Sequence, residues 1–255
     1  MSEDPQVLTE VQDGVLIVTM NRPEAKNAMN KGQCEGIAAA MDRLEADNDL
    51  RCAILTGSGG TFCSGMDLKG FLRGERPSIE GRGFGGLTEW TPSKPVIAAV
   101  DGYALAGGME LALSCDLIVA NVNSKFGIPE AKRGLAAAAG GLIKLPRQIP
   151  PRIAMELALT GDFIDAKRAY ELGFINRIVE GPAIEGAKEL ARAVAANGPL
   201  ALIASKAIIR DSHSWSEEEM WKKQASYIAP VFSSEDAREG AAAFAEKRKP
   251  NWKGK

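Results

Sequence analysis

The sequence predicts an α/β core followed by a helical C-terminal region, on three observations. Short β-branched runs alternate with segments of helical periodicity through the first half. From about Gly140 the pattern is helical to the end, interrupted by one short β-rich run over 174–179. No internal repeat at a solenoid period is present. A chain of 255 residues, 45% hydrophobic and 25% charged, suits one large domain or one domain with an appendage. The expected division is a core over 1–198 and a helical region over 199–255.

Taken in order, residues 7–11 and 15–19 flank Gln12-Asp13-Gly14 and read as a hairpin around an Asp-Gly turn. Asn21 to Asn27 is a polar loop. Residues 31–45 carry Ile37, Met41 and Leu44 at helical spacing, and 52–56 is a buried-type strand closed by Gly57-Ser58-Gly59-Gly60. Residues 66–72 suit one or two helical turns. From Gly74 to Gly86 the chain is Gly-rich and polar without a pattern, which predicts a mobile flap. That stretch holds a literal G-x-G-x-x-G at Gly81, Gly83 and Gly86, but no strand precedes it and no helix opens after it, so a dinucleotide site is rejected. Residues 96–100 form another apolar strand, 103–106 a small-residue turn and 109–113 a helix start. Strands follow at 117–121 and 125–127, and Pro129 suits a first helical position.

Composition narrows the function. A net charge of −2 and a pI near 5.7 offer no general attraction to nucleic acid or anionic membrane, so any phosphate site must be local. The N-terminus, MSEDPQ, has neither a secretory core nor an Arg-rich transit face, and no apolar run approaches a membrane span, which predicts a cytoplasmic protein. Cys34, Cys52, Cys63 and Cys115 form no C-x-x-C pair and read as reduced, buried apolar residues. His213 is the single histidine and sits in a polar tract. His-based metal sites and a Ser-His-Asp triad therefore have little to work with, and no metal is expected. Acid–base work at neutral pH falls to carboxylates, lysines or tyrosines.

The stretch from Lys94 to Asp116 holds the strongest chemical signal. A strand, a turn and a helix start place the N–H groups of Gly107 and Gly108 at the positive end of a helix dipole, beside Glu110. Alone, this reads either as an anion site with an acid next to it or as a tight turn with a dipole-favoured glutamate. Two further pieces weigh on the choice. Phe62-Cys63-Ser64-Gly65-Met66-Asp67-Leu68-Lys69 is another small-residue turn into a helix start, and Phe126 to Gly134 sets a second carboxylate, Glu130, at a third.

With NRPEAKNAMN from Asn21, LTGSGGTFCSGMDLK, DGYALAGGMELALSCD, FGIPEAKRGL, LTGDFIDAKRAYELGFINRIV and the tail FAEKRKPNW, in this order, the chain resembles the crotonase superfamily of enoyl-CoA hydratases and isomerases. The resemblance implies a crotonase-like ββα spiral core with a helical C-terminal trimerisation region, and a homotrimer or a hexamer of two trimers. It implies that the N–H groups of Met66 and Gly107 form an oxyanion hole and that Glu110 and Glu130 are the catalytic pair. Glu110 would chiefly activate water and Glu130 exchange the proton at C2. Coenzyme A, part of the substrate and not a separate cofactor, would lie along Lys26, Ala28, Ser64, Met66, Asp67, Leu68 and Lys69 toward Gly107. Lys69 would meet nucleotide phosphates; Arg22 and Lys26 are weaker candidates that also read as solvated loop charges, and Lys247 to Lys249 carry a minor phosphate expectation. Glu24 stands where some hydratases have lysine, and Ala137 where many relatives have proline.

The implied activity is reversible hydration of a 2-enoyl-CoA. The alternatives are a carnitinyl-type dehydratase, an enoyl-CoA isomerase, which typically keeps one working carboxylate, and a non-catalytic acyl-CoA-binding protein, which would have lost a glutamate. The acyl group is not encoded in a readable way; the 74–90 segment and the Ala136 to Ala139 run are its expected walls.

Overall fold

The computed structural model describes residues 5–255; the acidic Met1 to Asp4 part of the N-terminal reading lies outside the described residues. The strands are β1 (Val7–Gln12), β2 (Val15–Met20), β3 (Cys52–Gly57), β4 (Ser78–Ile79), β5 (Gly83–Phe84), β6 (Val96–Val100), β7 (Tyr103–Leu105), β8 (Leu117–Asn121), β9 (Lys125–Gly127), β10 (Ile164–Asp165) and β11 (Arg177–Val179). The helices are α1 (Lys31–Ala46), α2 (Leu68–Leu72), α3 (Gly107–Ala112), α4 (Gly141–Gln148), α5 (Pro151–Thr160), α6 (Ala166–Glu171), α7 (Ala183–Ala195), α8 (Pro199–Asp211), α9 (Met220–Ser233) and α10 (Glu235–Ala245). Short 3-10 turns cover Pro23–Ala25, Pro129–Arg133 and Ser212–Ser214.

A six-stranded sheet runs in the order β1-β2-β3-β6-β8-β11, with β1 antiparallel to β2 and every other pair parallel. The Asp13-Gly14 turn has φ of 51° and 74°, the left-handed geometry that an Asp-Gly hairpin requires. Alternation along β2 sends Leu16, Val18 and Met20 into the main core with α1, and Val15 and Ile17 into a second core. In that second core α7 presents Ala183, Ala187 and Ala191 to the other sheet face. The central strands are therefore apolar on both sides, as parallel strands must be.

Most of the expected elements are present. The stretch after Gly140 holds two strands rather than one: β10 precedes β11, and only the end of the 174–179 run is extended, because each is fixed by pairing with a distant strand. Two further expectations need correction. Residues 103–105 are not a plain turn but β7, which pairs in parallel with β9 and bridges to Cys63, forming with β10 a second, three-stranded sheet. The 74–86 segment is not a patternless flap. Its β4–β5 hairpin buries Gly83 and Gly85 to Thr88 against α1 and α3. Arg82 fastens it, lying 4.3 Å over the Trp90 ring and pairing with Asp42 and the Ala38 carbonyl. Periodicity failed here because the hairpin is too short to show one.

Helices α8 to α10 follow the sheet layers, and the chain end returns to them. Trp252 Nε1 donates to the Ala196 carbonyl at 2.8 Å, and Arg51 Nη2 donates to the Trp252 carbonyl at 3.1 Å. Among the described residues no helix is long and apolar enough to cross a membrane.

Candidate active site

The polar loop after β2 is built around Asn27. This fully buried side chain accepts from the Arg22 N–H at 2.8 Å and donates to the Ser58 and Thr61 carbonyls at 2.9 and 2.6 Å. Arg22 is thereby aimed inward, to the Ala28 carbonyl at 2.7 Å and Asp67 at 3.1 Å. Its reading as a solvated charge is corrected: it ties the loop to the turn before α2. Asp67 caps α2 through the N–H groups of Lys69 and Gly70 at 3.0 and 3.2 Å. Burial works to raise its pKa, but the Gly70 N–H and the Arg22 guanidinium outweigh it and hold it below the usual carboxylate range.

Met29 and Met66 form an isolated parallel bridge in which Met29 N–H bonds to the Gly65 carbonyl and Asp67 N–H to the Met29 carbonyl. That pattern turns the Met66 N–H away from the bridge. Neither it nor the Gly107 N–H donates to any described residue. Between them, Gly65 has φ of 106°, and a Cβ on it would lie 2.8 Å from Ala106 Cβ and 3.5 Å from Gly107 N. By standard covalent geometry the two free donors then lie within about 7 Å of each other, at one mouth of the same turn. Ala106 itself is held at φ 52°, ψ −127°, strain of about 1–3 kcal/mol in an alanine, with its N–H fixed to the Gly127 carbonyl at 2.9 Å. That strain turns the chain into α3 with the Gly107 N–H free.

Glu110, on the first turn of α3, is 2% exposed and accepts from the Gly141 N–H at 2.8 Å. Burial raises its pKa, opposed by the N–H groups of Gly141 and Ala139 and by the charge of Lys144. Glu130, in the 3-10 turn after Pro129, has a buried Oε2 with no hydrogen-bond partner among the described residues. Burial pushes its pKa up to about 7 against the lowering effect of its own backbone N–H; the neighbouring Glu110 charge adds to the rise and Arg133 opposes it. Both carboxylates line one cavity of about 850 Å³. One is bonded for its ionised form and the other is left to hold a proton, the separation that acid–base pairs need.

The cavity runs from the loop at Arg22, Glu24, Ala25 and Ala28, past Ser64 and Met66 to Lys69, to Gly107 and the two glutamates. Of the residues singled out in the sequence, Glu110, Glu130, Gly107, Met66, Ala28, Ser64, Asp67, Leu68 and Lys69 all line it. Lys26 does not; its Nζ lies 5.5 Å from the Tyr103 ring centroid on a left-handed backbone. Arg248, the middle of the C-terminal basic cluster, is occupied by Glu239 at 2.6 Å and Glu246 at 2.5 Å. The sequence did not single out Phe84, Leu105, Arg133, Leu135 or Phe163, which also line the cavity. Phe84 comes from the hairpin, and the tip of its ring lies so close to Gly107 that a Cβ there would meet Cζ at 2.4 Å. Phe84 and Phe163 gave no local signal, since both arrive through tertiary packing. Ala136, Ala138 and Ala139 do form part of the wall, as expected of that run. No cluster of three or more metal-ligating side chains occurs among the described residues.

Known proteins agree with this architecture. The enoyl-CoA hydratase/isomerase family profile matches residues 10–255. An enoyl-CoA hydratase of Mycobacterium tuberculosis, EchA19, is 44% identical over 97% of this chain and 96% of its own. A carnitinyl-CoA dehydratase of Proteus mirabilis is 42% identical over 94% and 95%. A solved enoyl-CoA hydratase from Mycobacterium tuberculosis H37Rv superposes with a TM-score of 0.97 at 57% identity, covering 99% of this chain and all of that one, 100%. With its two sheets, its helical layers and the near-complete coverage of these relatives, the chain belongs to the enoyl-CoA hydratase/isomerase family and has the crotonase fold.

Proposed function

We propose that the protein is an enoyl-CoA hydratase that adds water reversibly across the double bond of a 2-enoyl-CoA. The observation that carries this is the pairing of two unpartnered main-chain donors with two differently bonded glutamates in one cavity. An α,β-unsaturated thioester resists attack at C3 because charge accumulates on the carbonyl oxygen. The Met66 and Gly107 N–H groups would receive that charge, each worth on the order of 3 kcal/mol in the transition state. Glu110, ionised, takes a proton from the attacking water; Glu130, protonated, delivers one to C2. No metal or separate cofactor is needed, because coenzyme A arrives with the substrate.

The nucleotide end would lie along Ala28, Ser64 and Leu68, with Lys69 toward phosphate, since Lys69 forms no ion pair among the described residues. The acyl end would meet Phe84, Leu105, Leu135, Ala136 and Ala138, an apolar wall. An apolar wall suits an uncharged acyl chain, and Arg133 in the same lining adds like charge against a carnitinyl-type cation. The test is a panel of short, long, branched, polar and cationic enoyl-CoA thioesters, followed by loss of the conjugated thioester absorbance. Hydration of uncharged chains supports the reading; hydration of the cationic thioester alone replaces it with the dehydratase reading, and no hydration removes it.

Residues 199–255 we assign to an oligomerisation region within this architecture, and the assembly to a homotrimer or a pair of trimers. The support is apolar surface: Leu159 on α5, Trp221 and Phe232 on α9 and Phe244 on α10 are all more than two-thirds exposed in the single chain. Light scattering behind gel filtration reads the mass directly; a monomer would remove this assignment.

A further inference from the structure

We infer that Lys144 is a positioning residue that polarises the catalytic pair, fixing Glu110 as the ionised member and leaving the proton to Glu130. This rests on the hydratase reading above. Lys144 stands on α4 one turn after Gly141, so a single helix start delivers both the N–H that bonds Glu110 at 2.8 Å and a cation beside it. Its stem packs across Gly140, where a Cβ would lie 3.3 Å from Lys144 Cε. Nζ donates to the Thr88 carbonyl at 2.8 Å and to Ser114 Oγ at 2.6 Å. Ser114 Oγ in turn donates to the main-chain carbonyl of Glu110 at 2.6 Å, so the hydroxyl accepts from the ammonium and passes its own proton to α3.

Both contacts of the ammonium are neutral oxygens, and no carboxylate lies within ion-pair distance of it among the described residues. A half-buried cation without an ion pair carries a desolvation cost that a methionine in its place would not. Something must offset that cost. Three acidic groups face Lys144: Glu89, Cys115 and Glu110. Glu89 is exposed, so solvent screens it. The Cys115 thiol is pushed up to about 12, chiefly by burial, and stays neutral. Glu110 is the one buried anion left for the charge to act on. From its other neighbours Glu110 meets the Gly141 and Ala139 N–H groups, while Glu130 meets its own backbone N–H and the charges of Glu110 and Arg133, and not that of Lys144. The lysine thus biases one carboxylate and not the other. Because Thr88 closes the segment that carries Phe84, the same side chain also ties that hairpin to α4, and a purely mechanical strut is the competing account.

The two accounts separate on titration. Lys144→Met removes the charge and keeps the length; Lys144→Arg keeps the charge. The acid limb of the kcat/KM profile with a 2-enoyl-CoA should move up by about one pH unit in Lys144→Met and return in Lys144→Arg. A second readout does not need turnover. In protein labelled with 13C at glutamate carboxyls, the Glu110 signal, identified by its absence in Glu110→Gln, should titrate about one unit higher in Lys144→Met. If Lys144→Met melts below the assay temperature, Lys144→Gln serves instead. An unmoved acid limb together with an unmoved Glu110 titration, with equal loss of plateau rate in the Met and Arg variants, overturns the proposal in favour of a strut. If no enoyl-CoA is hydrated by the wild type, the hydratase reading fails, and the carboxyl titration still decides the role of Lys144.

Discussion

Glu110 and Glu130 reach the same cavity from different elements and are bonded in opposite senses. The Gly141 N–H holds Oε1 of Glu110 at 2.8 Å, whereas Oε2 of Glu130 is buried and meets no partner among the described residues. An N–H donor favours a carboxylate, and an unpartnered buried oxygen favours the neutral acid. In the proposed mechanism the division of proton work would follow from these contacts rather than from the side chains, which are chemically the same.

The pH dependence of stability should show the same asymmetry. The folded-state pKa of Glu130 is raised from 4.5 to about 7, so its ionisation-linked penalty is absent below about pH 4.5, builds as pH rises from there to about 7 and is fully present above 7. Glu130→Gln should therefore stabilise the protein by on the order of 2 kcal/mol at pH 8 and by little at pH 4.5. Denaturant melts at the two pH values check this; a difference that does not change with pH contradicts it.

Activity should decline as pH rises through the Glu130 titration, near 7 in the free enzyme, because the acid is then lost. The basic limb of the kcat/KM profile is the observable, and in Glu130→Gln the residual rate should lack it.

Gly107→Ala would place a Cβ 2.4 Å from Phe84 Cζ. The chain cannot accept both, so this variant should lose at least about tenfold in kcat/KM as the oxyanion donor shifts. Adding Phe84→Ala should recover melting temperature lost in the single variant. An equal loss in the double variant would show that the ring is not the obstacle.

Much of this was legible in the sequence, for physical reasons. Strands buried on both faces need unbroken β-branched runs, so 15–19, 52–56, 96–100 and 117–121 were visible. An Asp-Gly turn announces itself, as does a glycine pair ahead of Glu110. Other parts had no local signature. Strand β7, Tyr103-Ala104-Leu105, is only three residues long, too short to show a period, and its pairing with β9 makes it a strand. Phe84, Phe163 and Lys144 act through partners far away in the chain, such as the 56 residues separating Lys144 from Thr88. Asp67 was legible as a site residue, yet its carboxylate is spent on a helix cap and on Arg22.

Asp67→Ala should consequently behave as a structural variant: a loss on the order of 1–2 kcal/mol of stability from the cap and the ion pair, with KM rising more than kcat falls. Lys69→Ala should raise KM for a CoA thioester several-fold and leave KM for the matching pantetheine thioester unchanged. Steady-state kinetics on both thioesters separates the two residues; a kcat effect at Lys69 would contradict its placement toward phosphate.

The most direct test of the paired-carboxylate account is a double-mutant cycle on crotonyl-CoA hydration with Glu110→Gln, Glu130→Gln and the double variant. Groups that serve one transition state are non-additive, so each single variant should lose orders of magnitude in turnover with little change in binding, and the double should be about as slow as the slower single. Near-normal turnover in Glu130→Gln, or losses that simply multiply, would contradict the account.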